Sequence, residues 1–335
     1  MCLRQLKTNS PVLLFTTGFV LCCLFTAHFP PSSHAQNYPA RPVRLIVGYP
    51  AGGSIDTIGR LTAQAFTESM AQSFVVENRP GASATIATVA VVKAPPDGYT
   101  LLIGAQASLS GAPSLIAKLA YDPLRDLSPI ALLAHQPNVL IVHPSVPART
   151  TREFIALAKT RPGKLSYGSS GMGSTQHLSS ELFSSMTGTN LFHVPYKGGP
   201  PVTVDLLSGQ LDFTFTPVPT AGPYIKADRV RAIALTSIRR NESLPGVPTL
   251  DESGLRGFNF GGYAALLGPA RMTRELVMKL NAETQKALAD PVMRRKFVDM
   301  GLDVPGGTPE QFAEFMKEDM EKCARIVALA KIQPQ

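Results

Sequence analysis

VRLIVGYPAGGSID (residues 43–56) and LSYGSSGMGSTQH (residues 165–177) share one plan: an apolar strand, a glycine turn, then a hydroxyl residue opening an amphipathic segment. In the first, residues 43–48 read as strand, Gly52-Gly53 turn the chain without a Cβ penalty, and Ser54 reads as a helix N-cap. In the second, residues 165–168 read as strand, and a helix starts at Ser174 or Thr175. A helix start of this kind leaves backbone N–H groups pointing outward from a positive dipole end, a ready site for an anion. One such turn is an ordinary strand-to-helix connection. Two of them, in different halves and with no lysine or arginine in either turn, point to one anion gripped by amides and hydroxyls from both. A carboxylate suits that grip better than a phosphate ester, because nothing here supplies a guanidinium fork or a magnesium site.

The same alternation continues in both directions. Strands are expected at residues 43–48, 99–104, 139–143, 165–168, 192–195, 213–216, 230–236 and 262–267, with amphipathic stretches such as 55–70, 151–160, 176–186 and 202–207 between most of them. That order predicts α/β architecture with largely parallel sheets and crossover helices. Residues 273–288, 291–300 and 309–329 read as helices instead, with Pro291 and Pro309 in first-turn positions after Asp290 and Thr308, which can cap. Prolines at 95–96, 144–147 and 217–223 are read as loops or crossings.

Arg4 and Lys7 precede an apolar run at 12–25, and Ser33-His34-Ala35 resembles a small-x-small cleavage site, so residues 1–35 read as a secretory signal peptide. The run is shorter than the roughly 20 apolar residues of a membrane-spanning helix. A lipid anchor at Cys22 or Cys23 fits poorly, since Leu21 and Cys22 stand where a small residue is needed. Cleavage leaves Cys323 as a single thiol with no internal disulfide. The loss of Arg4 and Lys7 also lowers the net charge of +8 by two. About 300 residues remain, more than one core usually holds, which favours two lobes. The basic residues are scattered and unaccompanied by aromatics, which argues against nucleic acid.

Other chemistries lack their parts. GSSGMGST approximates a phosphate-binding loop, but Ser174 stands in place of its lysine; Gly171-Met172-Gly173 begins a dinucleotide fingerprint, but Gln176 replaces the third glycine. His135, His143, His177 and His193 have no metal-ligand spacing, and neither a metal nor a cofactor is expected. No Gly-x-Ser-x-Gly elbow surrounds Ser54, Ser170 or Ser174. The alternative to a binding protein is an exported hydrolase using Ser174 as nucleophile and His177 as base.

The segments just read, together with several others, resemble the extracytoplasmic receptors of tripartite tricarboxylate transporters, the Bug-type receptors. The resemblance is carried by YPARPVRLIV (38–47) with PAGGSID (50–56), ENRPGA (77–82), APPDGYTLL (94–102), SGMGSTQHLSSELF (170–183), HVPYKGGPP (193–201), DLLSGQLDF (205–213), VRAIALTS (230–237) with LPGVPTLDESG (244–254), and the helical tail. It implies a two-lobed periplasmic binding protein fold of type II-like form, with two crossing segments, a ligand cleft between the lobes and the C-terminal helices returning to the first lobe. With it come the expected divisions: 36–141 for lobe 1, 142–258 for lobe 2 and 259–335 returning to lobe 1. It also implies no catalytic residues, a small carboxylate ligand, membrane transporter subunits as partners, a periplasmic location and a monomer.

Carried over, the ligand contacts would be Tyr49, Ala51, Gly52, Gly53, Ser54 and Asp56 from one turn, and Ser169, Ser170, Gly171, Gly173, Ser174 and Thr175 from the other. Tyr196 and Gly198 come from a third turn, in which Lys197 reads as a solvated charge. Asp56 has two readings, a first-turn carboxylate favoured by the dipole or a ligand acceptor. Asp212 likewise either accepts turn amides or joins the ligand site. The chain departs from the family at Gly81-Ala82-Ser83-Ala84, where Gly-Ala-Gly-Gly is common, and at Tyr263-Ala264, where many relatives carry tryptophan.

Overall fold

LSPIALLAHQPNVLIV forms a single strand, far longer than the expectation at residues 139–143, and the rest of the molecule is arranged along it. The structure, a computed structural model, describes residues 38–334, so the leader expectation at residues 1–35 lies outside the described residues. From the N-terminal side come β1 (Val43–Val47), α1 (Ser54–Met70), β2 (Phe74–Asn78), α2 (Thr85–Val92) and β3 (Thr100–Ala105). The one-turn helices α3 (Ala112–Leu115) and α4 (Pro123–Asp126) then lead into the long strand β4 (Leu127–Val142). Beyond it lie α5 (Thr151–Thr160), β5 (Ser166–Ser169), α6 (Thr175–Thr187), β6 (Phe192–Pro195), α7 (Gly199–Leu207), β7 (Phe213–Pro217), α8 (Val218–Lys226) and β8 (Arg231–Leu235). The chain returns through β9 (Gly261–Pro269) and ends in α9 (Arg274–Ala289), α10 (Pro291–Asp299) and α11 (Pro309–Leu329).

The strand order is β2-β1-β3-β9-β4-β7-β5-β6, with β8 also paired to β4. The outer strands are parallel, β1 with β2 and β3, and β5 with β6 and β7. The central strands β4 and β9 run antiparallel to their neighbours. β4 changes partners along its length: Leu127 through Pro137 face β9, and Asn138 through Val142 face β7 and β8. Pro137, which has no N–H to donate, sits where the ladder changes hands. The two sheets therefore share a strand, and residues 39–334 cluster as one compact unit.

Alternation along β4 separates two cores. Leu140 and Val142 join Phe154, Tyr167, Phe183 and Phe213 on one face, while Val139 and Ile141 join Val202, Leu211 and Leu235 on the other. Ile46, Leu102, Leu132 and Leu267 form the core of the first sheet. Each such fully buried side chain contributes about 1.5–3 kcal/mol. Helix α11 reaches both halves: Phe312 and Met316 enter the first-sheet core, and Cys323, Ile326 and Val327 enter the second. Thus the tail does not return to the first half alone. Between those anchors, Asp319 is buried, and burial pushes its carboxyl up to about 6 despite a hydrogen bond from Ser110. Ser110 also meets the Tyr263 hydroxyl at 2.8 Å, and Gln106 Nε2 donates to Cys323 Sγ at 2.9 Å.

Helix ends follow the sequence in the tail. Asp290 accepts the Met293 N–H at 2.8 Å, and Thr308 exchanges side-chain and backbone bonds with Gln311 in a capping box. Three expectations are corrected. Gly53, not Ser54, is the N-cap of α1, which has no side-chain cap, so the Ser54 hydroxyl is free for another partner. β2 was not expected, being five residues with a half-exposed edge. Residues 218–226 are helical, although the prolines at 217–223 suggest a loop or crossing; Pro219 lies in the first turn, where an N–H has no acceptor anyway, and Pro223 removes one bond of a short helix.

Candidate ligand-binding site

β1 and β5 each end in a glycine turn that starts a helix. In the first turn, Gly52 adopts φ +83°, open to glycine and strained for other residues. Beyond it, the N–H groups of Ser54, Ile55 and Asp56 open α1 and have no acceptor within the helix. Ala51, Gly52 and Gly53 are exposed. The side chain of Asp56 is spent behind the turn, taking the Gly52 N–H at 2.9 Å, Arg60 Nε at 2.9 Å and Asn78 Nδ2 at 2.8 Å. Desolvation pushes this carboxyl up, but the bonds from Arg60, Asn78 and Gly52 outweigh it and hold the group below its ordinary range. Tyr49 also backs the turn: its carbonyl accepts from Asn78 at 2.9 Å, and burial pushes its phenol up to about 12. Ala84 packs directly on Gly48, so the left-handed run Ala82-Ser83-Ala84 forms a wall beside this turn.

The second turn is fastened by its own side chains. Ser174 caps α6, accepting the His177 N–H at 3.3 Å. The Ser170 N–H goes to Gln176 Oε1 at 2.7 Å, and the Ser169 hydroxyl meets His193 Nε2 at 2.6 Å. Gly171 and Gly173 hold φ of +124° and +75°. The N–H groups of Thr175 and Gln176 lie in the first turn of α6 and have no intrahelical acceptor. The Gly173 N–H donates to Nδ1 of His177 at 3.1 Å. That ring stacks on His193 with centroids 4.3 Å apart, and His193 in turn stacks on Tyr167 at 4.7 Å. Burial drives both imidazoles toward the neutral form, His177 down to about 3 with help from His193, and His193 down to about 4. The hydrolase alternative falls on this geometry. The Nδ1 lone pair of His177 is occupied by a backbone N–H, and Ser174 Oγ meets the main chain of residue 177, not its ring.

The third turn meets the second edge to edge. The Tyr196 N–H donates to the Ser169 carbonyl at 2.9 Å, and Gly198 caps α7. The Tyr196 hydroxyl donates to Asp205 at 2.5 Å, and desolvation with that carboxylate pushes the phenol up to about 12. Lys197 is exposed. Asp212 lies elsewhere: it binds the N–H and hydroxyl of Ser166 at 2.7 and 3.0 Å, at the entry end of β5, whereas the glycine turn follows its exit end. The structure does not bring Asp212 to the turns.

Gln136, which the sequence reading passed over, joins the two helix starts. From β4 it donates Nε2 to the Ser54 hydroxyl at 2.6 Å. A Cβ on Gly262, its partner on β9, would lie 3.3 Å from Gln136 Oε1 and 3.4 Å from Thr175 Cγ2. Gly111, just after β3, approaches the Gly173 carbonyl from the other side, and Leu115 packs on Gly173. Thus Gln136 and Gly262 lie between the starts of α1 and α6, which come from different sheets. The polar cluster His135, Gln136 and Asn138 in a largely apolar strand was the available signal for Gln136. With no cation clamp in either turn, the arrangement offers amides and hydroxyls to a small anion.

The chain is similar to known receptors in sequence and fold. Residues 58–332 match the family described as tripartite tricarboxylate transporter family receptor. Protein BugT of Bordetella pertussis is 34% identical over 294 residues, covering 88% of this chain and 90% of that protein. A structure from R. palustris solved with adipate superposes with TM-score 0.84 at 34% identity, covering 89% of this chain and all of the other. MatC from Rhodopseudomonas palustris with bound malate gives 0.79 at 30% identity, covering 87% and 100%.

Proposed function

We propose, from the premise that this chain belongs to the tripartite tricarboxylate transporter receptor family, that it captures one small carboxylate in the periplasm and presents it to membrane transporter subunits, without catalysing a reaction. The observation that carries this is the convergence of two helix starts, one from each sheet, on the place spanned by Gln136. A carboxylate there accepts N–H groups at Ser54 and Ile55 from one side and at Thr175 and Gln176 from the other. Held between two dipole ends, it needs no lysine or arginine. Similar proteins carrying adipate and malate support the choice of ligand class.

The proposed contacts are Ala51, Gly52, Gly53 and Ser54 with Ser170, Gly171, Ser174 and Thr175, bordered by Tyr196 and Gly198. Tyr49, Asp56, Ser169 and Gly173 hold the turns in shape from behind. Lobes at 36–141 and 142–258, with 259–335 returning to the first and the end of α11 packing on the second, describe a molecule that closes over its ligand, and residues 1–35 are the leader removed on export. Melting the protein against a panel of acids, sugars and amines tests the reading. An acid at 100 times its dissociation constant stabilises the fold by about 2.7 kcal/mol. A panel in which sugars or amines shift the melting and no acid does would overturn it.

A further inference from the structure

We propose that Gln136 reads the carbon beside the ligand's carboxylate, selecting acids that carry a hydrogen-bond donor there, a hydroxyl or an ammonium. This rests on the receptor reading and narrows its ligand class. Gln136 is buried, and its main chain is locked in register with Gly262 across β4 and β9, so the root of the side chain is fixed. Its Nε2 is committed to the Ser54 hydroxyl at 2.6 Å. That leaves Oε1 as a lone acceptor: no hydrogen bond reaches it among the described residues, and only the bare Gly262 separates it from Thr175.

The backbone amides of the two helix starts are donors, and the hydroxyls beside them can donate, which suits the ligand's carboxylate oxygens. Oε1 is of the opposite kind. A carboxylate oxygen against it is repelled, and a methylene against it leaves a desolvated acceptor without a partner. A donor on the neighbouring carbon resolves both, bonding to Oε1 while the carboxylate keeps its amides. A site built to hydrogen-bond a ligand hydroxyl discriminates strongly against the analogue that lacks it, because the protein group is stranded.

The test uses three matched series, propionate, lactate and alanine; succinate, malate and aspartate; phenylacetate, mandelate and phenylglycine, titrated by calorimetry into the wild type, Gln136→Leu and Gln136→Glu. In the wild type, the hydroxy or amino member of the binding series is tighter than the plain acid by about tenfold. In Gln136→Leu that preference collapses to about twofold or less, with ligand-free melting confirming the fold. Gln136→Glu, which keeps the volume and adds a charge, loses all acids by about tenfold or more. Whether hydroxyl or ammonium ranks first identifies the donor, and either supports the assignment. A wild-type preference for the plain acid, a preference that survives Gln136→Leu, or acid binding unaffected by Gln136→Glu overturns it. Acids that bind without discrimination sink this inference alone; no binding by any series sinks the receptor reading as well.

Discussion

Nδ1 of His177 accepts the backbone N–H of Gly173, four residues earlier, across 3.1 Å. The bond makes the imidazole a brace for the second turn and fixes the ring as neutral, with its proton on Nε2. Replacing His177 by alanine should release that amide and open the stack with His193. We expect a loss of about 2–4 kcal/mol, read as a lower urea midpoint, together with weaker acid binding. Hydrolysis of nitrophenyl esters should be the same for the wild type, His177→Ala and Ser174→Ala; a saturable activity lost in either variant would restore the enzyme reading.

The two helix starts differ in tolerance. Gly53 has φ −76°, and a Cβ there meets only the Pro50 carbonyl at 3.5 Å, so Gly53→Ala should leave ligand-free stability within about 0.5 kcal/mol. The bulkier Gly53→Val should block approach to the α1 amides and weaken binding on the order of a hundredfold. Gly173→Ala meets a left-handed backbone and the Leu115 side chain, and should cost roughly 1–3 kcal/mol before any ligand is added. Melting and calorimetry on the same samples separate the two effects; normal binding by Gly53→Val would place the ligand on the second turn alone.

Acid should destabilise the protein above the range where ordinary carboxylates titrate. His135, His177 and His193 are held at about 4, 3 and 4 by burial, against an ordinary 6.5. The unfolded chain therefore takes up protons that the folded one refuses, and stability falls as pH drops from about 6.5 towards 4, by up to about 1.4 kcal/mol per unit for each group. Urea midpoints at pH 7, 6 and 5 measure this. A flat profile from 7 to 5 would mean that these rings are not held neutral.

Asp319 acts with the opposite sign. Its carboxyl is raised to about 6, so the folded state keeps a proton that the unfolded state releases near 4. Its contribution falls as pH rises through that window and stays low above it, offsetting one histidine between about 4 and 6. Asp319→Asn removes this titration. The variant should gain on the order of 2 kcal/mol relative to wild type at pH 8, and that gain should shrink by pH 5. Equal differences at both values would place the ionised carboxylate in a solvated setting.

Cys323 is fully buried, and burial pushes its thiol well above the ordinary range. A thiol reagent should leave the native protein unmodified and label one site per chain in denaturant, provided residues 1–35 have been removed on export. More than one labelled site in the exported protein would contradict that removal.

Much of the site was legible because glycine, serine and strand patterns are local. VRLIV with AGGS and SYGS with SGMGST declare a strand, a turn and a helix start within about a dozen residues each. What could not be read is what depends on distant pairing. The length of β4 is hidden by Pro129 and Pro137, which look like breaks until β9 is laid beside them. Gln136 gains its place only through Gly262 and Ser54, far away in sequence. Asp56 and Asp212 showed carboxylates but not their partners, and Asn78, Arg60 and Ser166 occupy them.

The order of strands also sets when the protein can fold. β9 lies between β3 and β4, and Phe312 and Met316 complete the core of the first sheet. The N-terminal third thus cannot close its sheet until residue 261 is available, nor seal its core until residue 312 is. A ribosome delivering this chain from its N-terminus leaves β3 and the first half of β4 without their shared neighbour until β9 emerges. Pairing across so long a stretch of sequence delays the closure of the first sheet.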